Sequence, residues 1–244
     1  MSDLKQHIST AFDRDLEGIQ AQILKMGGLV EAAIHDAAKA LESRDEELAE
    51  KVRSGDKVID ALDESLNEEA ARVIALRAPT AADLRVVLSV MRMSANLERI
   101  GDLSKNMAKR TTVLAQMTQI NGSTAALRRM ARDVESMLKD ALDAYIKRDE
   151  ALALDVIERD ADVDQMYNTL FREFLTFMLE DPRNITSCMH LHFIAKNIER
   201  MGDHVTAIAE QVVFLATGEK PEDARIKQDR TASDPALSAN IELE

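Results

Sequence analysis

The sequence predicts an all-α protein built as two tandem, pseudo-symmetric three-helix bundles, with six long helices in total. Three observations support this fold class. Aromatic residues make up 3% of the 244 residues and Trp is absent, whereas strong helix formers such as Ala, Leu, Met, Glu and Arg are plentiful. Apolar residues recur at helical spacing over long stretches. One set of residues occurs twice in the chain, which indicates a duplicated domain.

The apolar spacing predicts six helices, separated by polar or proline-containing breaks such as Pro79 and Asn121-Gly122. We place the helices at about residues 12–41, 45–76, 82–117, 125–147, 149–179 and 184–216. The predicted domains are residues 10–118 for the first repeat, 119–123 for a linker, 124–217 for the second repeat, and 218–244 for a mobile polar C-terminal tail.

The duplication is clearest in the pentapeptide Glu-Arg-x-Gly-Asp, whose two copies are 101 residues apart, each with an Asn two positions upstream. Residues four apart on a helix lie on one face, about 5–6 Å apart at Cβ. Each copy therefore presents two carboxylates that could share one cation. The motif acids are Glu98, Asp102, Glu199 and Asp203.

The second helix of each repeat adds another pair of acids at the same spacing. These acids are Asp56 and Asp60 in the first repeat, and Asp160 and Asp164 in the second. Short connections make sequential helices antiparallel neighbours, so residues equally far from the turn lie at one level. Counting from the turns near Pro79 and Pro182 places each Asp pair level with the motif acids of the next helix. Each hairpin is thus expected to carry four carboxylates at one level.

Four carboxylates at one level repel one another unless they are protonated or bound to a cation. Oxygen ligands alone suit Mg, Mn, Ca or Fe, and we predict such a metal site in each hairpin, with the motif acids as the stronger candidates. Two other interpretations remain: a solvated acidic stripe, or pairing with Arg99 and Arg200. The glycines of the motif, Gly101 and Gly202, indicate either a cluster or backbone close by, or tight helix packing.

The net charge of −13 argues against a nucleic-acid partner and against direct adsorption to anionic lipid, since both require a positive face. The lone Cys188 excludes an internal disulfide and suits a reducing compartment. No signal-peptide pattern and no 18-residue apolar run is found, so we expect a cytoplasmic protein. His204, beside Asp203, is expected to be exposed and to point away from the carboxylates.

The two motif copies, in the stretches 98–102 and 198–203, together with Ala-Asp-Leu-Arg at 82–85 and Met-Leu-Glu-Asp-Pro-Arg at 178–183, resemble the PhoU family over residues 10–217. The resemblance implies a non-enzymatic negative regulator of the phosphate-starvation response that also modulates phosphate uptake. It implies a metal-binding adaptor between the ATP-binding subunit of the phosphate ABC transporter and a sensor histidine kinase. Homodimers, a cytoplasmic location, membrane contact only through protein partners, and metal ions such as Fe or Mn on the repeated acid motifs are implied as well.

Two alternatives to this function follow from the carboxylates themselves. An open metal site could polarise a phosphate oxygen, as in a metal-dependent phosphohydrolase, or the protein could simply bind intracellular metal. A ferritin-like di-iron enzyme is disfavoured, because that site requires Glu-x-x-His on two helices and the chain contains no such sequence.

Overall fold

A computed structural model describes residues 2–79, 81–120, 122–219 and 221, with side chains from residue 14 onward. Within these residues there are six long α-helices and no β-strand, which confirms the all-α prediction. The helices are α1 (Ser2–Ser43), α2 (Glu46–Arg77), α3 (Ala81–Leu114), α4 (Ser123–Lys147), α5 (Glu150–Glu180) and α6 (Ile185–Thr217). A single 3-10 turn, Pro182–Asn184, separates α5 from α6.

Two helix limits differ by three or more residues from those expected. The first helix begins at Ser2 rather than near residue 12, because apolar spacing marks only the part of a helix that packs against a core. The third helix ends at Leu114 rather than at Met117, whose amide donates to the Leu114 carbonyl, three residues back, instead of four. Most of the predicted tail, 218–244, lies outside the described residues.

The turn between the first two helices of each repeat is built in the same way. Asp45 and Asp149 cap α2 and α5, where their side chains accept hydrogen bonds from the amides of Leu48 at 2.9 Å and Leu152 at 3.1 Å. The preceding arginine adopts a left-handed conformation in both turns. The repeated Arg-Asp-Glu sequence thus fixes two equivalent helical hairpins.

The first bundle consists of α1, α2 and α3, and the second of α4, α5 and α6. The bundles join side by side, with α3 against α6 and α1 against α4, so α2 and α5 lie on the outside. Along the α3–α6 seam Arg110 lies beside His190 and Asn96 beside His204, which shows that the two helices run antiparallel. Both Glu-Arg-x-Gly-Asp motifs therefore lie side by side at the middle of the molecule. No helix of the described residues is long and apolar enough to cross a membrane.

Candidate carboxylate sites

In the first hairpin a lysine lies between the carboxylates that the sequence assigns to a shared cation. The Lys105 ammonium donates to Asp102 Oδ1 at 2.6 Å and forms a second short ion pair with Asp56 on α2. These hydrogen bonds, the first to Asp102 and the second to Asp56, raise the pKa of Lys105. Because the Lys105 ammonium contacts both acids, Asp56 on α2 and Asp102 on α3 lie at the same level of the hairpin, as expected from the sequence.

The other two acids of this hairpin, Asp60 and Glu98, form no ion pair with Lys105. Loss of hydration, followed by the charge of Asp56, raises the pKa of Asp60, and the charge of Lys105 only partly opposes this rise. Loss of hydration also raises the pKa of Glu98, with Asp102 and Asp60 acting in the same direction and Arg99 opposing them. Arg99 is 3.5 Å from Glu98 and 3.6 Å from Asp102, so arginine pairing, one of the alternative interpretations, contributes here.

These shifts predict how stability depends on pH. A carboxyl group whose folded pKa is raised stabilises the folded state fully below its unfolded pKa, and this contribution is lost as the pH rises through the folded pKa. We therefore expect Asp60→Asn and Glu98→Gln each to raise the free energy of unfolding at pH 7, and with it the melting temperature, by no more than about 1 kcal/mol because both groups are near the surface. The gain should vanish below about pH 4.

Thermal melts of wild type and variants between pH 3.5 and 8 measure this difference. Glu64→Gln, on the exposed face of α2, is the matched control and should change stability little at either end of the range. Variants less stable than wild type at pH 7 would contradict the assignment of Asp60 and Glu98 as repelling charges.

The second hairpin holds its carboxylates more deeply than the first. Asp160, Asp164 and Glu199 are each only 3% exposed, whereas Asp60 and Glu98 at the matching positions of the first repeat remain accessible. Here too a lysine contributes. Lys196 Nζ lies 2.9 Å from Glu199 Oε1 and 4.9 Å from the ring centroid of Tyr167. Asp203, at the edge of the motif, is half-buried.

The glycine of each motif lets the third helix of its repeat lie close to an acid on the second helix of the same repeat. A Cβ on Gly202 would lie 2.8 Å from Asp160 Oδ1, closer than carbon and oxygen normally approach. A Cβ on Gly101 would meet Ile59 Cδ1 at 3.1 Å and Asp56 Oδ1 at 3.5 Å. The glycines thus serve helix packing and closeness to an acid at the same time, so the two interpretations of these glycines are not exclusive.

The donor set suits a hard cation, since all eight predicted ligands are carboxylates. Asp56 Oδ1 is buried and accepts no hydrogen bond from the described residues, and the absence of a Cβ at Gly202 lets α6 lie close to Asp160 Oδ1. Nevertheless, no three His, Cys, Asp or Glu side chains of the described residues meet in an arrangement that holds a metal ion. The metal ligands therefore stay a prediction, with Lys105 occupying the cation position of the first hairpin.

Sequence reasoning missed Lys105, Lys196 and Asp63. Each lysine lies three residues from a motif acid on its own helix, a spacing that allows ion pairing and could have indicated them. Asp63 Oδ1 accepts a 2.5 Å hydrogen bond from Ser94 Oγ and adds to the negative charge beside Asp60. The expected exposure of His204 was wrong: the ring is half-buried, because its Nδ1 lies 2.9 Å from Asn96 Oδ1 across the α3–α6 seam.

A groove of about 430 Å³ opens between α4 and α5 of the second bundle. Its charged lining includes Arg129, Asp133, Asp162 and Glu173. None of the eight predicted ligands borders it. The groove is thus a separate feature from the carboxylate hairpins and gives no support to a phosphohydrolase site built from those acids.

Two acidic hairpins that are related by duplication and lie side by side define a class of helical proteins built from two copies of one domain. Comparison with known proteins supplies the family. The PhoU domain model matches the chain twice, at residues 23–111 and 127–212. The chain belongs to the PhoU domain family.

Proteins of similar length match the chain over almost its whole sequence. The chain is 44% identical over 234 residues to a "Phosphate-specific transport system accessory protein PhoU homolog" of Rhizobium meliloti, covering 93% of this chain and 96% of that protein. It is 48% identical over 222 residues to the protein of the same description from Zymomonas mobilis, covering 91% and 93%.

Solved structures agree with the fold. The crystal structure of PhoU from Pseudomonas aeruginosa superposes with a TM-score of 0.83 at 38% identity, covering 85% of this chain and all of the other. The phosphate transport system regulatory protein PhoU from Streptococcus pneumoniae gives a TM-score of 0.80 at 30% identity, covering 86% and 99%. These similarities confirm both the family and the architecture expected from the sequence.

Proposed function

We propose that this protein regulates phosphate transport, as a non-enzymatic adaptor that restrains the phosphate-starvation response and modulates phosphate uptake. It would act in the cytoplasm, as a homodimer, and link the ATP-binding subunit of a phosphate ABC transporter to a phosphate-sensing histidine kinase. The protein would then contact the membrane only through these protein partners.

The observation that carries the proposal is the match over the full length of the accessory proteins. More than nine tenths of this chain and of its Rhizobium meliloti and Zymomonas mobilis relatives align, so the part of the relatives that performs the accessory role has its counterpart here. The duplicated architecture fits an adaptor, because two related bundles present two similar but not identical surfaces.

Deleting the gene tests this role. With a reporter of phosphate-starvation transcription, we expect the deletion strain to express the reporter constitutively at high phosphate, and a plasmid copy of the wild-type gene to restore repression. A deletion strain that still represses the reporter at high phosphate would overturn the proposed function.

We also propose that the acidic hairpins bind a hard metal ion such as Fe, Mn or Mg. Glu199 and Asp203 with Asp160 and Asp164 would hold it in the second repeat. Glu98 and Asp102 with Asp56 and Asp60 would hold it in the first, where Lys105 would have to move aside. A bound ion would supply positive charge that links the second and third helices of a repeat.

Metal binding predicts a change in thermal stability, because a ligand that binds only the folded state stabilises it by about 2.7 kcal/mol at one hundred times its dissociation constant. Protein dialysed against EDTA should melt several degrees lower than protein given Mn²⁺ or Fe²⁺. The variant Glu199→Gln/Asp203→Asn should lose most of this response, whereas Glu158→Gln/Asp162→Asn, with acids exposed on α5, should keep it.

Unchanged melting in all conditions, together with protein that elemental analysis shows to be free of metal, would rule out the metal proposal. The adaptor role would remain open in that case, because the reporter experiment tests it separately.

A further inference from the structure

The outer face of α3 and α6 differs in charge from the rest of the molecule. Of the exposed residues on these two helices none is acidic, and four are basic: Arg92, Arg99, Lys109 and Arg200, whereas acids such as Glu98 and Asp102 are half-buried. On the outer helices the balance is reversed, with six exposed acids against three bases on α2 and five against one on α5. The net charge of −13 therefore conceals a basic face at the centre of the molecule.

Helical spacing places four arginines of α3, two of them among these exposed residues, in a line along the helix. Arg85, Arg92 and Arg99 follow one another at intervals of seven residues, and Arg110 lies a further eleven residues along, which is three turns. All four arginines thus project from the same side of α3. With Arg200 of α6 they form what we call the arginine strip.

Three of the five arginines of the strip contact side chains of α6, whereas Arg99 pairs with Glu98 and Asp102 of its own helix. The Arg110 guanidinium carbon lies 4.3 Å from the ring centroid of Phe193, and that of Arg85 lies 5.2 Å from the ring of Phe214. Arg92 Nη1 is 3.5 Å from Gln211 Oε1. Guanidinium groups stacked on rings lose little further conformational freedom when they bind a carboxylate in bidentate fashion.

Apolar side chains lie among the arginines. Leu88 on α3 and Phe193 on α6 are each 42% exposed, and Met189 on α6 is 38% exposed. Exposed apolar groups beside fixed guanidinium groups are typical of protein interfaces, whose anchors are enriched in Arg and aromatic residues.

We propose that the groove between α3 and α6 binds an amphipathic, acidic helix of a protein partner. Carboxylates of that helix would pair with the arginine strip, and its apolar side chains would cover Leu88, Met189 and Phe193. Acids repeated every seven residues, about 10.5 Å along a helix, would match the spacing of the strip. The proposal rests on the adaptor role proposed above and names the surface and partner chemistry for it.

A protein helix suits this face better than an anionic lipid surface. Two antiparallel helices leave a groove into which a third helix packs. Arg85 and Arg110 lie against aromatic rings of α6 rather than extending outward, and the apolar groups are only partly exposed, so this face would insert little into a bilayer. The acidic outer helices would also be repelled by a wide anionic membrane, but they need not touch a narrow docked helix.

The double variant Arg92→Glu/Arg200→Glu tests the proposal, with Arg72→Glu/Arg132→Glu as a control of equal charge change on exposed sites of α2 and α4. The probes are the purified phosphate transporter complex and the full-length phosphate-sensing histidine kinase of the same organism, each in detergent. We expect the strip variant to bind at least one of them about tenfold or more weakly than wild type, and the control to bind within about twofold.

Circular dichroism melts establish that both variants are folded, and Arg92→Gln/Arg200→Gln, which removes charge without reversing it, should show an intermediate loss. Equal affinities for strip and control variants would overturn the arginine strip as the docking surface while leaving the adaptor role intact. Failure of wild type to bind either probe, with normal repression in the deletion strain, would overturn both.

Sedimentation with vesicles of phosphatidylcholine and phosphatidylglycerol at 3:1 separates lipid from protein as the occupant. We expect no binding by either protein. Vesicle binding by wild type that the strip variant loses would overturn the helix in favour of a lipid surface.

Discussion

Lys105→Met is expected to lower the free energy of unfolding by about 2–4 kcal/mol, because it leaves the nearly buried Asp56 without its counter-ion. Methionine keeps most of the volume of the lysine stem, so the loss reports the ammonium rather than a cavity. Asp56 Oδ1 already accepts no hydrogen bond from the described residues, which leaves that carboxylate with little compensation once Lys105 is gone. In a chain of this length the change corresponds to a drop in melting temperature of about 5–12 °C.

Lys109→Met is the matched control, one turn further along α3 and exposed, and should cost no more than about 0.5 kcal/mol. The Asp56→Asn change in the Lys105→Met background should recover part of the loss, since it removes the unpaired charge. A double-mutant cycle by urea denaturation would then give a coupling energy above about 1 kcal/mol. If Lys105→Met and Lys109→Met were equally stable, the ammonium between the two helices would have no structural role.

The same variant links stability to metal. If Lys105 occupies the cation position of the first hairpin, Mn²⁺ should stabilise Lys105→Met more than it stabilises wild type, because the ion no longer competes with an ammonium. A response to Mn²⁺ that is identical in both proteins would show that the ion binds elsewhere, and the second hairpin would then be the first place to examine.

The fold could be predicted from the sequence because it depends on local patterns. Apolar spacing identifies the helices, and the repeated Arg-Asp turns and the prolines mark where they end. The level of Asp56 with Asp102 followed from the short turn alone, since two helices joined by few residues must run antiparallel. Such relations need no knowledge of distant parts of the chain.

The features that escaped prediction depend on how helices rotate and on which repeats meet. Asp60 is exposed whereas Asp164 at the matching position is buried, and spacing along one helix cannot reveal that difference in rotation. The basic face exists only because α3 lies beside α6, although the two helices are separated by about 100 positions in the chain. Total charge gave the opposite expectation, since a sum over the sequence contains no information about where charges lie.

Gly202→Ala should destabilise the protein by about 1–3 kcal/mol, because the added Cβ would lie 2.8 Å from Asp160 Oδ1. Asp160 is a buried carboxylate on a packed helix and has little room to retreat. The loss would outweigh the gain of about 0.5–1 kcal/mol that alanine normally brings over glycine inside a helix. Gly101→Ala should have a smaller effect, because its closest neighbour, at 3.1 Å, is the terminal methyl group of Ile59, which can turn aside.

Gly55→Ala on α2 is the control, since nothing lies within 4 Å of a Cβ there, and it should stabilise the protein by about 0.5–1 kcal/mol. Urea denaturation of the three variants should therefore rank Gly55→Ala above Gly101→Ala, and Gly101→Ala above Gly202→Ala. The order matters more than any single value, because helix propensity is the same in all three and only the distance to the opposite helix differs. If Gly202→Ala were as stable as Gly55→Ala, the Cβ at position 202 would have more space than its 2.8 Å distance from Asp160 Oδ1 implies. That result would disprove the close approach of Gly202 on α6 to the buried acid on α5.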